Sequence, residues 1–214
     1  MIEWHHIFGM ALTDLFTDSK YRVEVEKELK MNQFLDILVV EEQTGNAISE
    51  LPDGFEDLSK YNLITYKSLR QPLDSWSLDE LICYYVLYRK LVSPSLDNLM
   101  PTDQFRLFGI STRYPQNLSQ IEHLEYVKNG IYRLIRGEFE ISILVLSRMP
   151  LNQRDAIWNM FATKQKQIQF GLENSRWKSN DFKQSVINIL FQKYQSENII
   201  LCHTLKRILS EIQY

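Results

Sequence analysis

From Tyr21 the chain alternates apolar and charged side chains, Tyr-Arg-Val-Glu-Val-Glu-Lys-Glu-Leu, which predicts a strand over 21–29 with Glu24, Glu26 and Glu28 on one face. A second strand is expected over 33–41, where the apolar β-branched run Gln-Phe-Leu-Asp-Ile-Leu-Val-Val is interrupted by one carboxylate, Asp36. A third, Asn62-Leu-Ile-Thr-Tyr-Lys, ends on Lys67. Ahead of them, Ile7, Met10, Ala11, Leu15 and Phe16 recur at helical spacing over 3–16. Thr44-Gly-Asn-Ala and Leu51-Pro-Asp-Gly-Phe make a turn-rich connection between strands two and three. Residues 77–92 read as a helix with Ser77 as N-cap, Glu80 three positions on, and an apolar face of Leu81, Tyr84, Tyr85, Tyr88 and Leu91; Ser93-Pro94 ends it. A strand over 105–112 follows, then a hairpin of 130–135 and 140–146 that turns at Arg136-Gly137. Beyond Pro150 the pattern is helical throughout, over 152–170, 180–195 and 198–212. There is no repeat, low-complexity tract or linker, so the expected organisation is an α/β (α+β) domain over 1–150 with a helical extension, 151–214, packed on it.

Composition narrows the class. In 214 residues, 44% hydrophobic and 12% aromatic side chains suffice for a packed core. A net charge of −3 argues against holding nucleic acid by bulk electrostatics, so any such contact must come from a local basic patch. Cys83 and Cys202 lie far apart inside apolar helical patterns and read as small core residues of a reduced, cytoplasmic protein. No apolar run has the length of a membrane span, and Met1-Ile-Glu-Trp-His-His does not begin a secretion signal, so neither a membrane partner nor export is expected. Glycine-rich phosphate loops and a Gly-x-Ser-x-Gly nucleophile turn are missing from the sequence.

The candidate chemistry lies between residues 21 and 70. A carboxylate in mid-sheet costs several kcal/mol to desolvate, so Asp36 is either paired or used. An acidic strand, Asp36 and Lys67 are what a metal-dependent phosphodiesterase would need. Carboxylate oxygens hold a hard cation such as Mg²⁺ or Mn²⁺, which neutralises charge on the phosphate and acidifies water, while a lysine stabilises the developing charge. Asp36 is the natural first ligand and Lys67, on the neighbouring strand, can reach the same space.

The order helix, three strands, helix, strand, together with Asp36 and Thr65-Tyr66-Lys67, resembles the PD-(D/E)XK nuclease superfamily and its restriction-endonuclease-like αβββαβ core, with a mixed central sheet. More closely, Gln33-Phe-Leu-Asp-Ile-Leu, Leu51-Pro-Asp-Gly-Phe-Glu-Asp-Leu, Asn62-Leu-Ile-Thr-Tyr-Lys-Ser and Phe105-Arg-Leu-Phe-Gly-Ile-Ser-Thr-Arg-Tyr-Pro resemble a bacterial branch described as nucleases of the recombination-promoting, or transposase, type. The likeness spans about residues 3–150. It implies a DNA-cleaving enzyme of recombination or mobile-element processing, with RNA left open as substrate, in which an Asp and a Glu or Asp bind the cation and a Lys assists the attacking water. Two residues before Lys67 the superfamily has Glu or Asp, and this chain has Thr65, which offers no charge. Replacement carboxylates are Glu24, Glu26, Glu28, Glu3 and Glu41, and the sequence does not choose among them.

Each of these residues has a plainer reading. The glutamate face can be a solvated strand surface, and Asp36 can pair with Lys67 as a structural ion pair in a catalytically inactive descendant of the fold, a nucleic-acid-binding or protein-interaction module. Glu3 and His6 are a single i, i+3 pair beside His5, too little for a zinc site. Arg70 and Arg113, with Arg89, Lys90 and Arg106, can frame a phosphate-binding rim or be ordinary surface. Tyr84, Tyr85 and Tyr88 suit core packing better than base stacking. The spots Lys164-Gln-Lys166 and Arg176-Trp-Lys178 are weak signals for nucleic acid. A homodimer through Ile187, Leu190, Phe191, Ile199, Ile200 and Leu201 is an alternative to their use in an internal core.

Overall fold

A computed structural model describes residues 4–25, 37–48 and 50–196. Among them, helix α1 (Trp4–Phe16) leads into β1 (Tyr21–Val25), β2 (Ile37–Glu42) and β3 (Tyr61–Lys67), followed by α2 (Ser75–Val92) and β4 (Phe105–Ser111). Then come α3 (Leu118–Ile121), β5 (Glu125–Lys128), β6 (Ile131–Arg136), β7 (Phe139–Val145), α4 (Ala156–Asn159), α5 (Gln165–Asn174) and α6 (Asn180–Ser196). The seven described strands form one mixed sheet in the order β1-β2-β3-β4-β7-β6-β5. Strands β1 to β3 are antiparallel, β4 runs parallel to both β3 and β7, and β6 and β5 return antiparallel.

Two apolar clusters sandwich the sheet. On one face α1, α4, α5 and α6 bury Phe8, Trp158, Phe161, Ile187 and Leu190 against Val40, Ile64, Tyr66 and Phe108. Phe8 stacks on Tyr66 with ring centroids 4.3 Å apart. On the other face α2 packs Leu78, Leu81, Tyr84, Tyr85 and Tyr88 against Val39, Leu63, Leu107 and Ile143. Because it is covered on both sides, β3 is buried from Tyr61 to Tyr66. The one amide in that run is satisfied: Asn62 donates to the Val40 and Ser59 carbonyls at 2.9 and 2.8 Å and accepts from the Ser59 N–H at 2.8 Å. Close packing over β4 uses Gly109, where a Cβ would stand 2.9 Å from Ile143 Cδ1, 3.2 Å from Leu73 Cδ2 and 3.4 Å from Leu78 Cδ2 of α2.

Several sequence expectations need correction. The N-cap of α2 is Asp74, not Ser77; its carboxylate accepts from Ser77 N at 2.8 Å and Ser77 Oγ at 2.7 Å, and Ser77 is itself inside the helix. Cys83 is exposed rather than core, since α2 buries 78, 81, 84, 85 and 88 and turns 83 outward. The helix expected over 152–170 is two helices, α4 and α5, whose apolar residues meet each other as well as the sheet. Strand β5 gave no signal, because Glu125, Tyr126 and Val127 are all exposed and have no buried face to alternate with. Ile187 and Leu190 are fully buried under α1 and the sheet, which leaves them no part in a dimer interface. The helix expected over 198–212, with Cys202, lies outside the described residues.

Candidate functional site

The Leu51-Pro-Asp-Gly-Phe-Glu-Asp-Leu segment is a clasp. Gly54 turns at φ +92°, which lets Phe55 bury completely between Phe108 and Trp158, 5.1 and 5.0 Å away by ring centroids. Asp53 pairs with Lys128 at 3.0 Å and Arg154 at 3.2 Å, and Glu56 pairs with both as well. Buried Asp155 accepts from Asp53 N at 2.7 Å, and burial pushes its carboxyl above the usual range against the pull of that hydrogen bond. These acids are spent on tying the loop to β5 and α4.

On the α2 face, a second charged group sits over β1 and β2. Glu24 bonds Arg22, whose guanidinium also lies 3.9 Å from Glu41. Tyr84 and Tyr88 pack nearby from α2; burial, with Glu24 adding repulsion, pushes the Tyr84 phenol up to about 12, and Tyr88 is shifted the same way by burial, Glu41 and Glu24. The tyrosine row is core packing, as the sequence suggested.

Lys67 stands elsewhere. It ends β3 on the same face, half-buried, with Thr65 two positions back and only 2% exposed. The register sets Glu24 opposite Val39 and Leu63, whereas Ile37 is the β2 partner of Thr65. Leu63 and Lys67 differ by four residues, roughly 13 Å along the strand, and Glu24 is two strands across, roughly 10 Å more. The structure therefore does not bring Glu24 and Lys67 together. Lys67 has instead the carboxylate of Asp74 in its field: burial raises that carboxyl, but the Ser77 hydrogen bonds and the lysine charge outweigh it and hold Asp74 below its ordinary value.

The ends of β3, β4 and β7 form one continuing ladder. Thr112 N donates to Lys67 O and Ser147 N donates to Thr112 O, each at 3.0 Å, so Lys67, Arg113 and Arg148 emerge from neighbouring strand ends. Arg113 and Arg148 are exposed, and among the described residues none of the three makes an ion pair with a carboxylate. Arg148 lies 3.7 Å above the centroid of the Tyr114 ring and donates from Nη1 to the Tyr132 hydroxyl. Arg70 is exposed three residues beyond Lys67. The rim drawn from sequence is thus split: Arg89 and Arg106 line a groove at the opposite end of β4, of about 450 Å³, with Phe105, Glu138 and Glu140. Sequence reasoning missed Arg148, Tyr114, Tyr132 and Tyr126, which are scattered over some thirty-five positions and converge only through the β4–β7–β6–β5 order.

Asp36, Glu3, Glu26 and Glu28 lie outside the described residues, as does the Asp36–Lys67 pairing. Among the described residues no group of three or more His, Cys, Asp or Glu could hold a metal ion, so Glu24 with Thr65 and Lys67 does not by itself fit Mg²⁺. No helix of the described residues is long and apolar enough to cross a membrane. Compared with family models, curated proteins and solved structures, the chain matches none.

Proposed function

We infer that the chain is a nuclease of restriction-endonuclease-like build that hydrolyses DNA phosphodiester bonds at the C-terminal end of β3, with Mg²⁺ or Mn²⁺. The observation that carries this reading is the placement of Lys67: a half-buried cation, without an ion pair among the described residues, at the C-terminal end of β3, where exposed Arg113 and Arg148 emerge from the neighbouring ends of β4 and β7. The order α1-β1-β2-β3-α2-β4, with β1 to β3 antiparallel and β4 parallel to β3, agrees with the resemblance read from the sequence. Asp36 with Glu26 or Glu3 would hold the cation, which supplies charge neutralisation and acidified water when bound. In this reading Lys67 donates to a phosphate oxygen and compensates the charge that grows there, and Arg70 and Arg113 hold flanking phosphates. Recombination or mobile-element processing is the process the resemblance suggests.

Thr65 favours a second reading. It is buried and neutral where the motif calls for a carboxylate, and Ile37 is its partner on β2, as expected of a protein that retains the fold and its basic edge for binding nucleic acid after losing catalysis. Incubation of the full chain with supercoiled, linear and single-stranded DNA and RNA, with Mg²⁺, Mn²⁺ or EDTA, separates the two: metal-dependent cleavage supports the nuclease, and binding without cleavage supports the second.

A further inference from the structure

Four planar side chains run along the basic edge. Tyr126 on β5 is 61% exposed and meets Tyr132 on β6 with centroids 6.0 Å apart. Tyr132 in turn meets Tyr114, after β4, at 5.5 Å, and the Arg148 guanidinium lies on Tyr114. Tyr132 is 7% exposed and Tyr114 is half-buried, so the two inner rings form a fixed base and the outer members, Tyr126 and Arg148, present faces to solvent. Tyr126 is further held by its hydroxyl, which donates to Asn129 Oδ1 at 3.0 Å.

Arg148 is held differently from the ion-paired arginines of the described residues. Arg22, Arg133, Arg136, Arg154 and Arg176 each meet a carboxylate, which neutralises them. Arg148 is oriented by two tyrosines instead, so its plane is fixed while its charge stays available. A guanidinium held flat offers a stacking face to a nucleobase and edge N–H groups to a phosphate. Exposed tyrosine faces serve unpaired bases in the same way. Paired bases present only groove edges and phosphates, so the faces of Arg148 and Tyr126 have no role on intact duplex.

Resting on the reading that this edge meets nucleic acid, we propose that Arg148 and Tyr126 form a stacking platform for unpaired bases, so that the chain binds single-stranded DNA across the β5–β6–β7–β4 edge with its phosphates led toward Arg113 and Lys67. The substrate class is a single strand or a locally opened duplex rather than intact double helix. Arg113 and Lys67 supply the sequence-independent charge, and the platform supplies the preference for unpaired bases.

The test is fluorescence anisotropy with the full chain in EDTA, using a labelled single-stranded DNA, an abasic strand of the same length, the corresponding duplex and a single-stranded RNA. The single strand binds more tightly than the abasic strand and the duplex. Arg148→Ala and Tyr126→Ala each weaken that binding roughly five- to fifty-fold, with far less effect on the abasic strand. Arg148→Lys, which keeps charge but not the plane, loses most of the same factor, and Tyr126→Trp retains the wild-type affinity or exceeds it. Loss of RNA binding in the same variants also supports the platform. Equal affinity for the abasic strand, or alanine variants that bind like wild type with unchanged circular dichroism, overturns it. Because EDTA removes catalysis, a chain that never cleaves still tests the platform. Cleavage that needs Lys67 while binding ignores Arg148 and Tyr126 removes the platform and leaves the nuclease.

Discussion

Thr65 and Lys67 are two positions apart on one strand face, yet their environments differ. Thr65 is closed under α2 and Lys67 is half open at the strand end beside Asp74. A lysine that holds a phosphate oxygen acts in the transition state, so Lys67→Ala should lower the cleavage rate by roughly a hundredfold or more. Far-UV circular dichroism of the same variant should be unchanged. Tyr84 carries a different expectation. Its folded phenol titrates near 12, above the unfolded value, so the folded state keeps its proton while the unfolded state loses it. Stability is therefore full below about pH 10 and falls as pH rises toward 12. Tyr84→Phe should make that alkaline decline shallower in denaturant titrations at successive pH values, with the remainder left by Tyr88; an identical decline in both proteins would refute the assignment to Tyr84. At this scale the sequence was informative about residue type and poor about company. Lys67, Arg70 and Arg113 were legible because they lie close to strands that could be read, whereas Asp74 looked like one more polar residue before a helix. Arg148 had no local signal, since what distinguishes it is two tyrosines sixteen and thirty-four positions away that fold beside it.

Elements that bury a stripe of side chains declared themselves in the pattern: α1, β3, α2, β4 and the β6–β7 hairpin lie close to where periodicity put them. The misses have a common cause. Strand β5 pairs by backbone alone, and α4 and α5 read as one helix because both turn apolar residues to the same core. Their separation depends on Gly171, where a Cβ would stand 2.7 Å from Ala156 O and 2.8 Å from Asn159 C, so the backbone of α4 is the floor under α5. Backbone cannot move aside as a side-chain tip can. Gly171→Ala should cost about 1–3 kcal/mol by thermal or urea unfolding, despite the better helix propensity of alanine. A second contact of this kind joins α1 to α6. Buried Asp14 accepts from Lys178 N and Ser179 N at 3.0 and 3.2 Å, placing a carboxylate where α6 begins. Asp14→Ala should cost about 1–2 kcal/mol and increase hydrogen exchange at the first turn of α6 before it affects β3 or β4.

Taken whole, the molecule is slightly acidic and neutralises many of its cations internally, as in the Lys128, Arg154, Asp53 and Glu56 clasp. At the edge formed by Lys67, Arg113 and Arg148 three cations make no ion pair with a carboxylate among the described residues, so nucleic-acid affinity there should be modest and dependent on salt. With about three phosphate contacts, log K should fall against log salt with a slope of roughly −2 for a single strand, and Lys67→Ala should reduce that slope by about 0.7. A slope near zero would mean that phosphates are not what this edge holds. The central claim is phosphodiester chemistry at the end of β3, and the most direct test is cleavage of labelled single-stranded and plasmid DNA by the full chain beside its Asp36→Ala and Lys67→Ala variants, with Mg²⁺, Mn²⁺ or EDTA. The account predicts cleavage by wild type that requires the metal and is lost in both variants. Wild type and folded variants that are equally inert, or equally active at a level EDTA does not change, would contradict it.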